Sequence, residues 1–263
     1  GMESRLEEKY FKPGTRGLRD FKQMKIKSAA TLTRVIKRRP HYFAALKHQT
    51  DIMENSKPAI EKAFSQMISL YPKAEIPPVY FLIGAMNSGG TASDAGLLIG
   101  SEMYGRTADT DTTELSPWLK TVLKGMDQLP AIVSHEMIHS LQHVPENTLL
   151  AACLKEGSAD FLGELISGMM INQHLHEWAK GKEKELWAQF KKDEPSNDRS
   201  LWLYNGNNVK DRPADLGYWL GYQIAKAYYD KAPDKKKAVE EILNYKNAEA
   251  FLSRSGLSWA TEN

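Results

Sequence analysis

The sequence predicts an α+β protein, mostly helical, with one small sheet. Three observations carry that reading. Apolar residues recur at three- and four-residue steps over most of the chain, capping residues and early prolines stand ahead of those stretches, and residues 78–103 are rich instead in β-favouring residues and glycine. At 263 residues and 41% hydrophobic composition the chain is long enough to bury a sizeable core and too well mixed to be disordered.

The first helical stretch is "LRDFKQMKIKSAATLTRVIKRR", in which Leu18, Phe21, Met24, Leu32, Val35 and Ile36 follow helical spacing with basic residues between them. Residues 1–50 hold thirteen Lys/Arg against four Asp/Glu, although the whole chain is only +2. No nucleic-acid motif accompanies this charge, so it reads as a solvated helix face and no nucleic-acid partner is expected. Ser56, an early proline and Ile60, Phe64, Met67 and Leu70 then predict a helix that stops at Pro72. Val79 to Ile83 and Gly96 to Ile99 read as strands on either side of a Gly/Ser/Asn/Asp loop.

Ser116 and Pro117 open the next helix, and Pro130 opens another that runs toward Pro145. After Asn147 comes a long apolar helix, "TLLAACLKEGSADFLGELISGMM", then a charged one, "HEWAKGKEKELWAQFKKDE". The loops "EPSNDRS" and "NGNN" precede two closing helical stretches. Residues 1–77 form a helical N-terminal region and 78–263 the region that bears chemistry, expected as one continuous globular unit. No apolar run reaches the roughly 18 residues of a membrane span. The opening Gly-Met reads as the remnant of a removed tag, which leaves room for a leader upstream and slightly favours a periplasmic or secreted setting. Cys153 is the single cysteine, so no internal disulfide forms, and its place on an apolar helix suits a small core residue.

Chemistry concentrates in "VSHEMIHSLQH", where His135, His139 and His143 stand four residues apart. Four residues of helix advance about 6 Å and return to nearly the same face, so His135 and His139 can aim two imidazoles at one ion. Glu136 is rotated by about 100° and can reach a metal-bound water as its base. Zinc needs a third protein ligand and an open position. His143, Glu146 and Glu156 are the nearby candidates. Three ligands along one straight helix span about 12 Å and cannot share an ion, which counts against His143. Glu146 lies in the turn with nothing to aim it back. The turn "HVPENT" lets the next helix fold back antiparallel, where Glu156 can lie beside His139 and Asp160, on the same face, can steady a ligating histidine.

These residues resemble the gluzincin metallopeptidases, in which HExxH is completed by a glutamate. The resemblance implies a zincin-like fold, with a small, largely antiparallel sheet over the metal helix, and one Zn2+ per chain held by His135, His139 and Glu156. It further implies Glu136 as base and Asp160 as supporting carboxylate. "KEGSADF" is similar to the glutamate-bearing helix of a group of bacterial zinc-dependent proteases, some related to gliding-motility lipoproteins, and the likeness extends over about residues 78–255. "YWLG" is similar to a Tyr-x-x-Gly of the leukotriene-hydrolase type, which implies Tyr218 as donor to an oxyanion, with Tyr222 one turn along as the fallback. Asn87 after "GAM" and Lys155 before Glu156 depart from the pattern of the aminopeptidases, so an endopeptidase is the favoured expectation.

Gly84, Gly89 and Gly90 are candidates for an edge that holds an extended peptide or protein substrate by its main chain. "DTDTTE", residues 109–114, has calcium-like carboxylate spacing but lacks the glycine of a calcium loop, and reads as a polar turn. Two alternatives to a peptidase stand: a zinc-stapled module that binds a peptide without cutting it, and hydrolysis of a non-peptide amide or ester. A staple needs no base beside a filled coordination sphere, so Glu136 argues for hydrolysis.

Overall fold

The computed structural model describes residues 1–206 and 209–261; Asn207 and Asn208 of the expected "NGNN" loop lie outside them. The fold is α+β and mostly helical, with a three-stranded sheet. The chain divides into two compact units, residues 1–63 with 75–140 and residues 64–74 with 141–263.

In the first unit, Thr15 caps α1 (Arg16–Phe21) by accepting from the Leu18 N–H at 3.2 Å. The turn that follows ends where Lys27 takes φ 72°, and Ser28 caps a new helix, α2 (Ala29–Lys37). The long amphipathic stretch is therefore two helices with a break, because a left-handed residue followed by a capping serine stops one ladder and starts the next. Phe11, Leu18, Phe21, Ile26, Ala29 and Leu32 pack with Leu82 and Leu98 of the sheet in one cluster. Helix α3 (Pro40–Leu46) follows, then α4 (Lys57–Leu70) as its pattern predicts, its residues from Phe64 on belonging to the second unit.

The strands are β1 (Val79–Leu82), β2 (Gly90–Ser93) and β3 (Gly96–Gly100), in the order β1-β3-β2. β1 and β3 are parallel, β2 and β3 antiparallel, so the sheet is mixed rather than largely antiparallel as expected. The cause is β2. Its "GTAS" lies in the segment read as loop, yet Asp94 and Ala95 turn it back on β3 as a hairpin, which leaves β1 and β3 running the same way. β3 is buried along its whole length, as a central strand covered on both faces must be.

Past the sheet, Ser116 caps α5 (Pro117–Val122), and α6 (Leu129–Leu141) carries the histidines. The expected calcium-like loop is a local turn: Asp111 accepts from the N–H and hydroxyl of Thr113, while Glu114 accepts from the N–H groups of His41 and Tyr42 at the start of α3.

In the second unit, Thr148 caps α7 (Leu149–Ser167) and Gly168, at φ 76°, ends it. The charged stretch is two helices, α8 (Gln173–Ala179) and α9 (Glu183–Asp193), separated at Gly181 with φ 81°. α10 (Leu216–Lys231), α11 (Lys235–Asn244) and α12 (Ala248–Ser255) complete the unit. α7 and α10 meet backbone to backbone. A Cβ on Gly157 would lie 2.1 Å from the Tyr222 nitrogen, and one on Gly221 would lie 1.9 Å from the Cys153 carbonyl oxygen. Cys153 is fully buried at this crossing, a small residue where two helices need one. Among the described residues no helix is long and apolar enough to cross a membrane.

Candidate metal centre

α6 is buried on most sides through Ala131, Val133, Met137 and Ile138, which fixes the rotation of the helix and so the direction of its polar residues. His135 and His139 lie one turn apart with their Nε2 atoms 3.0 Å from each other, ring centroids at 4.5 Å and planes at 89°. The helix ends at Leu141, short of Pro145, so His143 is off it and exposed.

Glu136 is half-buried on the neighbouring face. It lies against Gly90, the first residue of β2: a Cβ there would come within 2.3 Å of Glu136 Oε1 and 2.6 Å of its Cγ. Gly89 is equally closed, by the hydroxyl of Tyr104 at 2.4 Å from where its Cβ would stand. β2 is an edge strand, so Glu136 stands beside a strand edge that begins at Gly90 with Gly89 just before it. Tyr104 carried no signal in the sequence. Its phenol is held protonated by burial first, then by the charges of Glu136 and Glu102, so it stands beside Gly89 as a hydroxyl.

Gly84 points elsewhere. Its N–H donates to Glu102 Oε2 at 2.7 Å and the Met86 N–H donates to Oε1 at 3.0 Å, with Phe21 against the Gly84 Cα. Glu102 is fully buried, and burial pushes its carboxyl up to about 7 against the pull of those two N–H groups. It clamps the loop that leads from β1 toward Gly89, with Met86 held at φ 55°.

Glu156 lies two turns into α7. Gln142 donates to the Lys155 carbonyl at 2.8 Å and to Ser158 Oγ at 3.0 Å, which pins the connecting turn at the level of Glu156. Glu146 is occupied by Lys155 and, at 3.7 Å, by Arg199. Asp160 is buried one turn beyond Glu156 and accepts from Asn172 Nδ2 at 2.6 Å. Tyr218 is near Glu156: its phenol is raised well above its ordinary range by burial and next by the Glu156 carboxylate. Tyr222 is committed elsewhere, donating to Glu164 Oε2 at 2.6 Å with its ring against His176. A further tyrosine, Tyr204, donates to Glu156 Oε1 at 2.6 Å. Nothing in "LYNGN" announced it, because a tyrosine in a turn has no distinguishing spacing.

One ligand atom from each of His135, His139 and Glu156 lies within 4.8 Å of the others. Two imidazole nitrogens and one carboxylate oxygen are a zinc donor set that leaves a position open. The two Nε2 atoms, 3.0 Å apart, are close enough that both imidazoles would hold one ion together with the carboxylate. The residues present therefore fit the metal.

A family model described as gliding motility protein GldB matches residues 21–258, and the chain belongs to that family. This corrects the assignment to the gluzincin metallopeptidases drawn from the motifs: the family that matches is a gliding-motility family and not a peptidase clan, and the match takes in most of the N-terminal region as well. No curated protein matches the chain, and no solved structure does.

Proposed function

We propose that the chain is a zinc-dependent hydrolase, and that its substrate is a peptide or protein. The observation that carries this reading is the grouping of His135, His139 and Glu156 ligand atoms within 4.8 Å, with Glu136, next to His135 on α6, lying against Gly90 at a strand edge. The family's name gives a cellular process and no reaction, so the chemistry has to be argued from the site.

Zinc, when bound, would lower the pKa of a coordinated water to about 7 and polarise the carbonyl to be attacked. Glu136 takes the proton of the attacking water on its carboxylate and returns it to the departing amine. The edge of β2 at Gly89 and Gly90 holds an extended main chain, since the absence of side chains there lets a backbone approach Glu136. Tyr218, kept protonated beside Glu156, donates to the developing oxyanion. The mostly helical chain with its small sheet accords with a zincin-like arrangement of these parts.

The placement of Glu136 favours hydrolysis over a zinc staple, because a stapled site gains nothing from a base set against a strand edge. The test is elemental analysis and a panel of quenched peptides on the parent, Glu156→Ala and Glu136→Gln. One zinc per chain in the parent, lost in Glu156→Ala, with Glu136→Gln retaining metal but not activity, is the expected pattern. A parent that takes up no zinc after reloading refutes the metal, and equal activity with and without zinc refutes the mechanism.

A further inference from the structure

Tyr204 has a backbone that its own packing does not explain. It sits at φ 57°, a left-handed conformation costly for an aromatic residue, and the residue is 65% exposed, so it is not held there as part of a core. What holds it is the base of its loop. Asn205, only 2% exposed, receives the Asp215 N–H on its Oδ1 at 2.8 Å and gives its own N–H to Asp215 Oδ1 at 3.1 Å. Its amide also donates to the Leu201 carbonyl at 3.0 Å, and Asp215 is itself left-handed at φ 63°. Two strained residues are thus clasped together by a buried asparagine, and the result is a phenol delivered to Glu156 Oε1 at 2.6 Å. Strain of this kind persists only where surrounding contacts over-determine it, and it concentrates at functional sites.

We propose that Tyr204 is a positioning residue for the metal centre: its hydroxyl occupies Oε1 of Glu156, so that the carboxylate meets the ion through Oε2 alone and a coordination position stays open. This rests on the zinc reading above. A carboxylate with both oxygens free can take zinc with both and fill the open position; one oxygen engaged by a donor fixes its orientation. The ring, being largely in solvent, contributes little packing that its replacement by phenylalanine would disturb.

The experiment compares the parent and Tyr204→Phe as full chains, measuring zinc affinity by competition with a chromophoric chelator, the visible spectrum of the cobalt-substituted protein, and thermal unfolding of the metal-free forms. The expected result is a zinc affinity about 10- to 100-fold weaker in the variant, a changed cobalt spectrum, and metal-free unfolding midpoints that agree within about a degree. Zinc bound by the parent with the variant matching it in affinity and spectrum overturns the role of Tyr204 and leaves the zinc reading intact. A parent that binds neither zinc nor cobalt overturns both. A metal-free midpoint that falls in step with affinity makes Tyr204 a stabilising residue and also overturns the proposal.

Discussion

Gly90→Ala isolates the relation between Glu136, the proposed base, and the strand edge. The glycine is not in a left-handed conformation, so alanine suits its backbone, and the consequence is local. The new Cβ would stand 2.3 Å from Glu136 Oε1 and 2.6 Å from both Cδ and Cγ. Ordinary contacts for these atoms are at about 3.2 to 3.6 Å, so the carboxylate must retreat by about 1 Å, and because Cγ is involved a rotation of the carboxylate alone does not relieve the clash. Misplacing a catalytic group by 1 Å costs about 100-fold, or about 2.7 kcal/mol of transition-state stabilisation. The expected outcome on a cleaved quenched peptide is a kcat/KM about two orders of magnitude lower with zinc content and unfolding midpoint unchanged. A zinc-loaded Gly90→Ala enzyme within threefold of the parent would show that Glu136 is not the base, or that its seat on β2 is not its working position.

Other expectations follow from the same structure. Glu102, with its carboxyl at about 7 when folded against an ordinary 4.5, contributes stability that is complete below pH 4.5 and lost as pH rises through 7, about 3 kcal/mol in all. Glu102→Gln removes that dependence while setting an amide N–H against the N–H of Gly84 or Met86, at about 1 to 3 kcal/mol. Urea melts should therefore show the parent's advantage shrinking from pH 5 to pH 8, and a constant difference would refute the raised carboxyl. Gly157→Ala drives a Cβ into the backbone of α10 at 2.1 Å and should destabilise the second unit by about 3 kcal/mol, read by calorimetry; a midpoint unchanged within a degree would deny that the two helices touch there. Zinc at 100 times its dissociation constant should stabilise the protein by about 2.7 kcal/mol and raise its unfolding midpoint by a few degrees, an increase that Glu156→Ala abolishes.

The helices were readable wherever a side chain states a boundary. Thr148, Ser116 and the spacing of "HEMIH" are local signals, and local structure obeys them. β2 was not readable, since Gly-Gly-Thr-Ala-Ser carries turn residues and becomes a strand only because β3 offers a ladder. The long N-terminal amphipathic stretch hid its break for a related reason: Lys27 takes a conformation that its residue type does not advertise. Among the site residues, His135, His139, Glu136 and Glu156 declared themselves through one helical spacing and one turn. Tyr104 and Tyr204 did not, because each reaches the site by way of a neighbour in space: Gly89 for the first, the Asn205 to Asp215 clasp for the second.

The three tyrosines considered for the Glu156 side of the site divide according to what holds them. Tyr222 spends its hydroxyl on Glu164 and its ring on His176, and so belongs to the packing of α10 against its neighbours. Tyr218, one turn earlier on that helix, follows from the Gly157 and Gly221 crossing: only because both positions lack a side chain does α10 approach α7 closely enough to bring a phenol into the field of Glu156. Tyr204 reaches Glu156 from a loop, by strained backbone that the Asn205 to Asp215 clasp holds in place. A clasped turn thus brings one hydroxyl onto Glu156, and a glycine crossing brings a second phenol into its field. A glutamate with only a structural duty on α7 would need neither; the nearby Glu146, by contrast, is met by Lys155 and Arg199. That convergence on Glu156 is the physical reason to give it a ligand's role, and it makes Glu156→Gln, which keeps the shape and one acceptor but loses the charge, a sharper probe of the centre than removal of either histidine.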